Sequence, residues 1–510
     1  MYLLGYDIGS SSIKAALVRA DNGKKVAVVQ SPEVEMEILS PQPGWAEQHP
    51  DTWWQHLCLA TKKLLQQTGV QSGDVGGIGI AYQMHGLVVV DKDQQVLRPS
   101  IIWCDSRAVG TGNRAFDEIG HERCLSRMLN SPGNFTASKL RWVKENEPAV
   151  FEKIHKFMLP GDYIAMRLTG EILTTPSGLS EGIFWDFKQD SLADLVLDYY
   201  GFDKKLIPSI TPTFSLQGKL TEAAARATGL AKGIPVAYRA GDQPNNALSL
   251  NVLEPGEVAA TGGTSGVVYG VVDQPNYDPQ SRVNSFLHVN HRSDQAQSPN
   301  SLRKESLGQR IGILLCINGA GSQYAWVKKN WAESNLSYPD MEQLAAKIPV
   351  GSDNLHILPF GNGAERMLGN RDIGSRVLNL HFSRHGRAHL YRAALEGIAF
   401  SFVYGMGILK EMGLNVQVMR VGNDNLFQSA IFSGTISNLV GSRIELVETT
   451  GAVGAAKAAG VATGFYATIG EAMQEGRVVK VYEPAKRVED YQNAYRAWEE
   501  NLEKALGYVS

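Results

Sequence analysis

Only four cysteines, Cys58, Cys104, Cys124 and Cys316, occur in 510 residues, and no two stand in Cys-x-x-Cys spacing. Neither a zinc site nor a disulfide framework is suggested, and a reducing cytoplasm is the expected compartment. A dominant charge is missing as well: 49 basic against 52 acidic side chains leave a net charge of −3, so no basic field exists to hold nucleic acid or an anionic bilayer. No run approaches the ~20 uncharged apolar residues that a membrane helix needs. The opening stretch carries Asp7 where a signal peptide would continue its apolar segment. These absences set aside nucleic-acid binders, membrane proteins and stapled secreted modules. A homodimer is the base-rate expectation for what remains.

What is present is ordinary for a globular enzyme: 43% hydrophobic and 20% charged residues, enough to build cores and too apolar for disorder. At roughly 150 residues per domain the length predicts about three domains or two large lobes. Glycine, 52 residues in all, exceeds the usual ~7% and points to many tight turns. Tyr2–Tyr6, Ile13–Val18 and Lys25–Gln30 read as short strands, and Asp21-Asn22-Gly23 is a turn. A helix follows from Pro50-Asp51, with Trp53, Leu57, Ala60 and Leu64 on one face and Gly69 as its stop. Ile78–Ile80 and Leu87–Val90 are further strands. Strands and helices recurring in this way make the fold class α/β. At the far end, Tyr491, Tyr495, Trp498, Leu502 and Leu506 fall at helical spacing before Gly507, the pattern of a docked terminal helix. Arg292–Arg310 is polar and reads as an exposed loop.

One internal similarity organises the rest. Tyr6–Val18 (YDIGSSSIKAALV) overlays Ala260–Val272 (ATGGTSGVVYGVV) without a gap, each a small-residue turn feeding a β-branched strand. No fixed short period accompanies it, which predicts a duplicated lobe and not a solenoid. The boundary is placed near Gly241–Ala247, giving lobes 1–245 and 246–510.

Four places could carry chemistry. In Asp7-Ile8-Gly9-Ser10-Ser11-Ser12-Ile13-Lys14, glycine lets the backbone approach an anion and N–H and hydroxyl groups can cradle phosphate. The preceding carboxylate could hold Mg²⁺ through water. The alternative is a plain Gly/Ser hairpin, and its echo at Gly262-Gly263-Thr264-Ser265-Gly266 favours two loops gripping opposite ends of a triphosphate. Asp242, in Gly241-Asp242-Gln243-Pro244-Asn245-Asn246 after a predicted strand Ile234–Tyr238, could take a hydroxyl proton in phosphoryl transfer, or could simply initiate an Asx turn. Tyr82-Gln83-Met84-His85-Gly86 and Trp103-Cys104-Asp105-Ser106-Arg107 would suit a polyhydroxylated ligand, although a lone histidine is more often structural. Gly422-Asn423-Asp424-Asn425, between a predicted strand Val416–Val421 and helix Leu426–Val440, could admit a nucleotide or merely cap the helix.

Taken in order along nearly the whole chain, these segments resemble the FGGY family of carbohydrate kinases. Asn134–Asn146 and Gly374–Glu396 are similar to its two signatures, with Asn134 where the family prefers an aromatic or small residue and Asn379 where it prefers glycine. The resemblance implies two ribonuclease-H-like lobes of the actin/hexokinase/heat-shock ATPase type around a central cleft. It implies phosphoryl transfer from ATP with Mg²⁺ to a sugar, and the Met84-His85 pair points to D-xylulose. By matching motif, Asp242 would be the general base, and Met84, His85, Asp105 and Gln243 would line the sugar site. Gly9, Ser10, Ser11, Lys14, Gly263 and Thr264 would meet phosphates, with Gly319, Gly422 and Asn423 beside the nucleotide and Asp7 and Asp242 toward the metal. Two rivals stay open: a kinase for another ketose or polyol (ribulose, glycerol, gluconate), and a nucleotide-switched binding protein on the same fold.

Overall fold

The computed structural model describes residues 1–292, 309–474 and 476–507. Its elements, numbered here where they position the site, begin with the β-branched runs flanking the first Gly/Ser turn. These are β1 (Tyr2–Ile8), β2 (Ile13–Arg19) and β3 (Lys25–Ser31). Then come α1 (Pro50–Thr68), β4 (Val75–Tyr82), α2 (Thr136–Asn146), α3 (Pro176–Glu181), β5 (Val236–Gly241) and α4 (Asp242–Ser249). The helix α1 forms where the apolar period predicts it: Trp53, Leu57, Ala60 and Leu64 are buried, proline opens it, and Gly69 ends it at φ 67°. The first sheet runs β3-β2-β1-β4-β5, with β2 antiparallel to its neighbours and β1, β4 and β5 parallel.

The second half repeats this plan. It contributes β6 (Glu257–Gly262), β7 (Gly266–Val272), β8 (Asn284–Leu287), β9 (Ile311–Ile317), α5 (Ala320–Trp331) and α6 (Arg387–Glu411). After them come β10 (Val418–Gly422), α7 (Ala430–Val440), β11 (Arg443–Glu448), α8 (Gly451–Ala462), β12 (Arg477–Tyr482) and α9 (Glu489–Gly507). The order β9-β7-β6-β10-β11 reproduces the first sheet strand for strand, with β8 and β12 added at the edges. The two hairpins of the internal similarity, β1–β2 and β6–β7, therefore occupy equivalent places. The 25-residue α6 is long and apolar enough to cross a membrane, but 78% of its apolar window is buried inside this lobe. It is apolar on all sides because it is surrounded by protein.

The lobes are not independent along the chain. Although α8 follows β11 of the second sheet, it lies across β1, β2, β4 and β5 of the first. The contact is backbone on backbone: a Cβ at Gly5 would fall 1.9 Å from the Ala452 carbonyl oxygen, and one at Gly79 would fall 1.9 Å from that of Ala455. Only glycine permits this approach. Residues beyond 246 thus help to roof the first lobe, which a simple cut of the chain at 245/246 does not convey.

Smaller departures have local causes. The segment expected as one helix, Leu426–Val440, is a 3₁₀ turn at Asn425–Gln428 followed by α7, because Ser429 caps the helix by accepting the Phe432 N–H. Asn379 stands at φ 60°, the left-handed region that glycine and, next to it, asparagine tolerate. The terminal helix α9 docks through Ala494, Trp498, Leu502 and Ala505, and the Trp498 indole donates to the Ile357 carbonyl at 2.9 Å. Of the polar stretch Arg292–Arg310, residues 293–308 lie outside the described residues.

Candidate active site

The two Gly-rich turns, the Gln83–His85 and Asp242 segments and the Gly319 and Gly422 turns lie at the carboxyl ends of strands that run parallel to their lobe's first strand, whereas Trp103–Arg107 follows the short strand Ser100–Ile101 of a separate two-stranded sheet. Asp7 is next to last in β1, Gln83-Met84-His85 follow β4, and Asp242 follows β5. In the second lobe Gly263 follows β6, Gly319 follows β9, and Gly422 ends β10. Crevices at these ends are where open α/β sheets bind ligands.

The first turn is fixed from three sides. The Gly9 N–H donates to the Ser12 carbonyl at 3.1 Å. The Gln48 amide donates to the Ser10 carbonyl at 2.7 Å, and the half-exposed Trp103 indole donates to Ser10 Oγ at 3.3 Å. Lys14 faces Asp7 across the β1–β2 ladder, and Ser11, exposed at the turn, accepts the Met36 N–H through its carbonyl. Asp7 packs under the first turn of α8: a Cβ at Gly451 would meet its Oδ2 at 2.9 Å and the Asn245 amide nitrogen at 3.4 Å. That amide donates to the Gly451 carbonyl at 2.9 Å, which ties α4 to α8 beside Asp7.

Asp242 opens α4, where the helix N-terminus and the Gln243 amide and N–H favour its ionised form. Burial and then the charge of Asp7 outweigh them and push its carboxyl up to about 7. Burial raises Asp7 also, with Lys14 pulling the other way. From the second lobe, Cys316 at the end of β9 feels the Asp242 charge. Asp242 thus stands at the seam between the lobes.

His85 sits at φ 62°, an uncommon conformation for a residue with a side chain. Its Nδ1 lies 3.0 Å from the Glu181 carbonyl oxygen. A carbonyl only accepts, so Nδ1 carries the proton. Burial pushes the ring down to about 3, with the nearby Lys139 and Arg366 acting in the same direction, so it is neutral and Nε2 is left as an acceptor. Phe135 and Phe286, the latter from β8, pack their rings on the imidazole at 4.8 and 5.3 Å. Met84 is buried beside it, against Gly241.

Asp105 corrects the expectation. Its carboxylate is fully buried and consumed by protein: it accepts the Ala46 N–H at 2.6 Å and the Arg107 N–H at 2.9 Å, and it pairs with the Arg107 guanidinium at 2.7 Å. With these directions filled it shapes the loop and has no acceptor left for a sugar. Asn134 joins the same loop by donating to the Asp105 carbonyl.

The second-lobe residues come together around the second turn. The Gly321 and Ser322 N–H groups donate to the Gly263 and Thr264 carbonyls, each at 2.9 Å. A Cβ at Gly321 would fall 2.2 Å from the Gly263 oxygen, and one at Gly319 would fall 1.8 Å from the Pro359 oxygen. The Asn425 amide comes within 3.9 Å of a Cβ position on Gly263, so the Gly422–Asn425 turn abuts the same loop. Asn423 itself is anchored by its N–H to the Val447 carbonyl at 3.1 Å. Gly319 and Gly321 thus let these turns pack backbone against backbone around the Gly263-Thr264 loop, whose N–H and hydroxyl groups are of the kind that cradles phosphates.

Sequence reasoning missed four residues here. Lys139, fully buried in α2, donates to the His85 and Ile102 carbonyls at 2.9 and 3.0 Å, and burial lowers it to about 7. Glu365, raised to about 7 by burial, accepts the Asn318 N–H at 2.9 Å ahead of Gly319. Glu181 is buried beneath His85, and Asn245 beside Asp7. Lys139 lies within the Asn134–Asn146 segment, and its place in an amphipathic helix was the one available signal. Both amide atoms of Gln83, Asn245 Oδ1 and Glu181 Oε2 are buried with no hydrogen-bond partner among the described residues. Unsatisfied polar atoms gathered at one end of a sheet mark a place for ligand or water.

Comparison with known proteins gives this arrangement a context. Residues 2–249 match the N-terminal domain of the FGGY family of carbohydrate kinases, and residues 258–463 match its C-terminal domain. The xylulose kinase of Bacillus subtilis (strain 168) is 28% identical over 506 residues, covering 97% of this chain and 95% of that protein. That of Escherichia coli (strain K12) is 30% identical over 417 residues, covering 82% and 80%. The crystal structure of xylulose kinase from Rhodospirillum rubrum superposes with a TM-score of 0.87 at 27% identity, covering the whole of both chains.

Proposed function

The chain belongs to the FGGY family of carbohydrate kinases, and on that premise we propose that it phosphorylates D-xylulose at the 5-hydroxyl in the cytoplasm. It is a sugar phosphotransferase with ATP as donor. The observation that supports the finer reading is Asp242: an acid at the end of β5, facing Asp7 and raised to about 7, able to exchange a proton near neutrality.

In this reading the sugar lies against Met84, the free Nε2 of His85 and the Gln243 amide, with Trp103 at its edge. The Asp242 carboxylate takes the proton of the 5-hydroxyl as its oxygen bonds to the γ-phosphorus. The bond from that phosphorus to the bridging oxygen breaks, and ADP leaves with the electron pair. The backbone around Gly9, Ser10, Gly263 and Thr264 holds phosphate oxygens, and Gly319, Gly422 and Asn423 border the nucleotide. Most of the rate gain is positioning and the exclusion of water by the closed cleft.

Asp7 and Asp242 fit Mg²⁺: both are hard oxygen donors, each is pushed upward by burial, and the Asn245 Oδ1 beside Asp7 has no hydrogen-bond partner among the described residues. The cation would supply charge neutralisation to the phosphates. Among the described residues no group of three or more histidine, cysteine or acidic side chains is arranged to hold a metal ion by itself.

The test is ADP release measured with D-xylulose, L-ribulose and glycerol, each with and without Mg²⁺. Turnover at least about tenfold faster on D-xylulose supports the reading. Faster turnover on another acceptor reassigns the substrate, and ADP release indifferent to all three would return the nucleotide-switched alternative.

A further inference from the structure

Glu181 has no part in the steps above, yet it lies against both His85 and Gly241, on either side of the proposed acceptor site. It ends α3, a short helix capped by Thr175, whose Oγ1 accepts the Gly178 N–H at 3.1 Å. The helix is stitched to β8 of the other lobe: Ser177 Oγ donates to the Leu287 carbonyl at 3.2 Å, and Ser180 Oγ accepts the Leu287 N–H at 3.0 Å. From this bridge the Glu181 carbonyl fixes the His85 imidazole, and its Oε1 faces the His85 N–H at 3.5 Å.

The other carboxyl oxygen is unusual. Glu181 is 1% exposed, and Oε2 has no partner at full hydrogen-bond distance among the described residues, the Tyr82 hydroxyl being near enough only to ease its charge. It occupies the space in which a side chain on Gly241 would stand: a Cβ there would lie 2.3 Å from Oε2 and 2.6 Å from Met84 Cγ. Gly241 immediately precedes Asp242. One side chain is therefore packed between the residues that face the sugar and the strand end that carries the base. A buried acid in a packing position is costly unless it holds something in place, and an aliphatic residue would fill the same volume without that cost.

We propose that Glu181 is a positioning residue for the acceptor hydroxyl, a wedge from the bridging helix that sets the spacing between the Met84-His85 turn and Gly241-Asp242. The inference rests on the reading of Asp242 as base and of Met84 and His85 as the sugar wall. In this role it is the shape of the side chain and its oxygen toward the His85 N–H that matter, so a glutamine can replace it and an aliphatic residue of similar volume cannot.

Steady-state kinetics on the full-length Glu181→Gln, Glu181→Leu and Glu181→Ala proteins, with melting curves alongside, test this. Glu181→Gln is expected to stay within about threefold of the parent in kcat and sugar KM. Glu181→Leu is expected to raise sugar KM about tenfold and lower kcat, since misplacement of reacting atoms is expensive, while ATP KM stays within about twofold. Glu181→Leu at parental values, Glu181→Gln as impaired as Glu181→Leu, or an equal loss toward ATP and sugar would each overturn the proposal. If Glu181→Ala fails to fold, the Gln and Leu pair decides. Failure of the parent enzyme itself to release ADP with any ketose would overturn the functional reading instead.

Discussion

Replacing Asp242 with asparagine should make the protein slower and, above neutral pH, more stable. The carboxyl stands at about 7 in the folded protein against 3.8 when unperturbed, because burial and Asp7 oppose its charge. The folded chain therefore holds a proton that the unfolded chain releases. Between these two values stability falls as pH rises, and above about 7 the full cost of an ionised Asp242 is present. At about 1.4 kcal/mol for each tenfold change in proton affinity, the upper limit is about 4 kcal/mol. Solvent reaches the carboxyl from the cleft, so about 2–4 kcal/mol is the working figure. Asp242→Asn has nearly the same shape and cannot ionise. Denaturant unfolding without nucleotide or metal should show the variant more stable by roughly this amount near pH 8, and by little near pH 4. The same variant should lose about 10² or more in kcat, with sugar KM less affected. A variant less stable than the parent near pH 8 would refute the electrostatic account. Near-native turnover at saturating sugar would refute the assignment of the base.

Other perturbations follow from the same geometry. Lys139→Met leaves the His85 and Ile102 carbonyls without their donor, so sugar KM measured at saturating ATP should rise about tenfold, the scale of one or two lost buried hydrogen bonds. Gly451→Ala puts a methyl 2.9 Å from Asp7 Oδ2; kcat should fall about tenfold or more, at the 1–3 kcal/mol scale of overpacking, in a protein whose circular dichroism is unchanged. Chelation by EDTA should abolish turnover, and added Mg²⁺ should restore it, while sugar binding followed by calorimetry persists.

The fold was legible where chemistry is local. Gly-Ser-Ser-Ser and Gly-Gly-Thr-Ser between β-branched runs can hardly be anything but hairpin turns, and their likeness announced two lobes built alike. Gly69, Pro50 and the period from Trp53 to Leu64 delimit α1 from neighbouring residues alone. What stayed hidden depends on partners far away in sequence. Lys139 reaches a carbonyl 54 positions distant and Glu181 an amide 96 positions distant; neither residue type nor spacing announces such a contact. Asp105 misled for the opposite reason. An acid after a strand and beside a tryptophan reads as a ligand-binding group, yet Arg107, two positions on, encloses it. The crossing of α8 onto the first sheet was equally silent, although Gly5 and Gly79 are where it was written.

The duplication is symmetric in backbone and asymmetric in charge, and that asymmetry bears on the chemistry. In the overlay of the two turns Asp7 corresponds to Thr261, so the acid of the first lobe has no counterpart in the second. Near the first lobe's strand ends stand Asp7, Asp242 and Glu181, whereas the second gathers Gly263, Thr264, Gly319 and Gly422 with Glu365 as its acid, occupied by the Asn318 N–H. A triphosphate suits the second surface, where peptide N–H groups and hydroxyls offer partial positive charge. Brought toward the first it meets carboxylates, and the repulsion grows in the low dielectric of a closing cleft. Lys14 alone, exposed beside Asp7, offsets little of it. A divalent cation held by Asp7 would turn that repulsion into attraction. On the proposed reading the acids would favour metal-bound nucleotide over bare ATP.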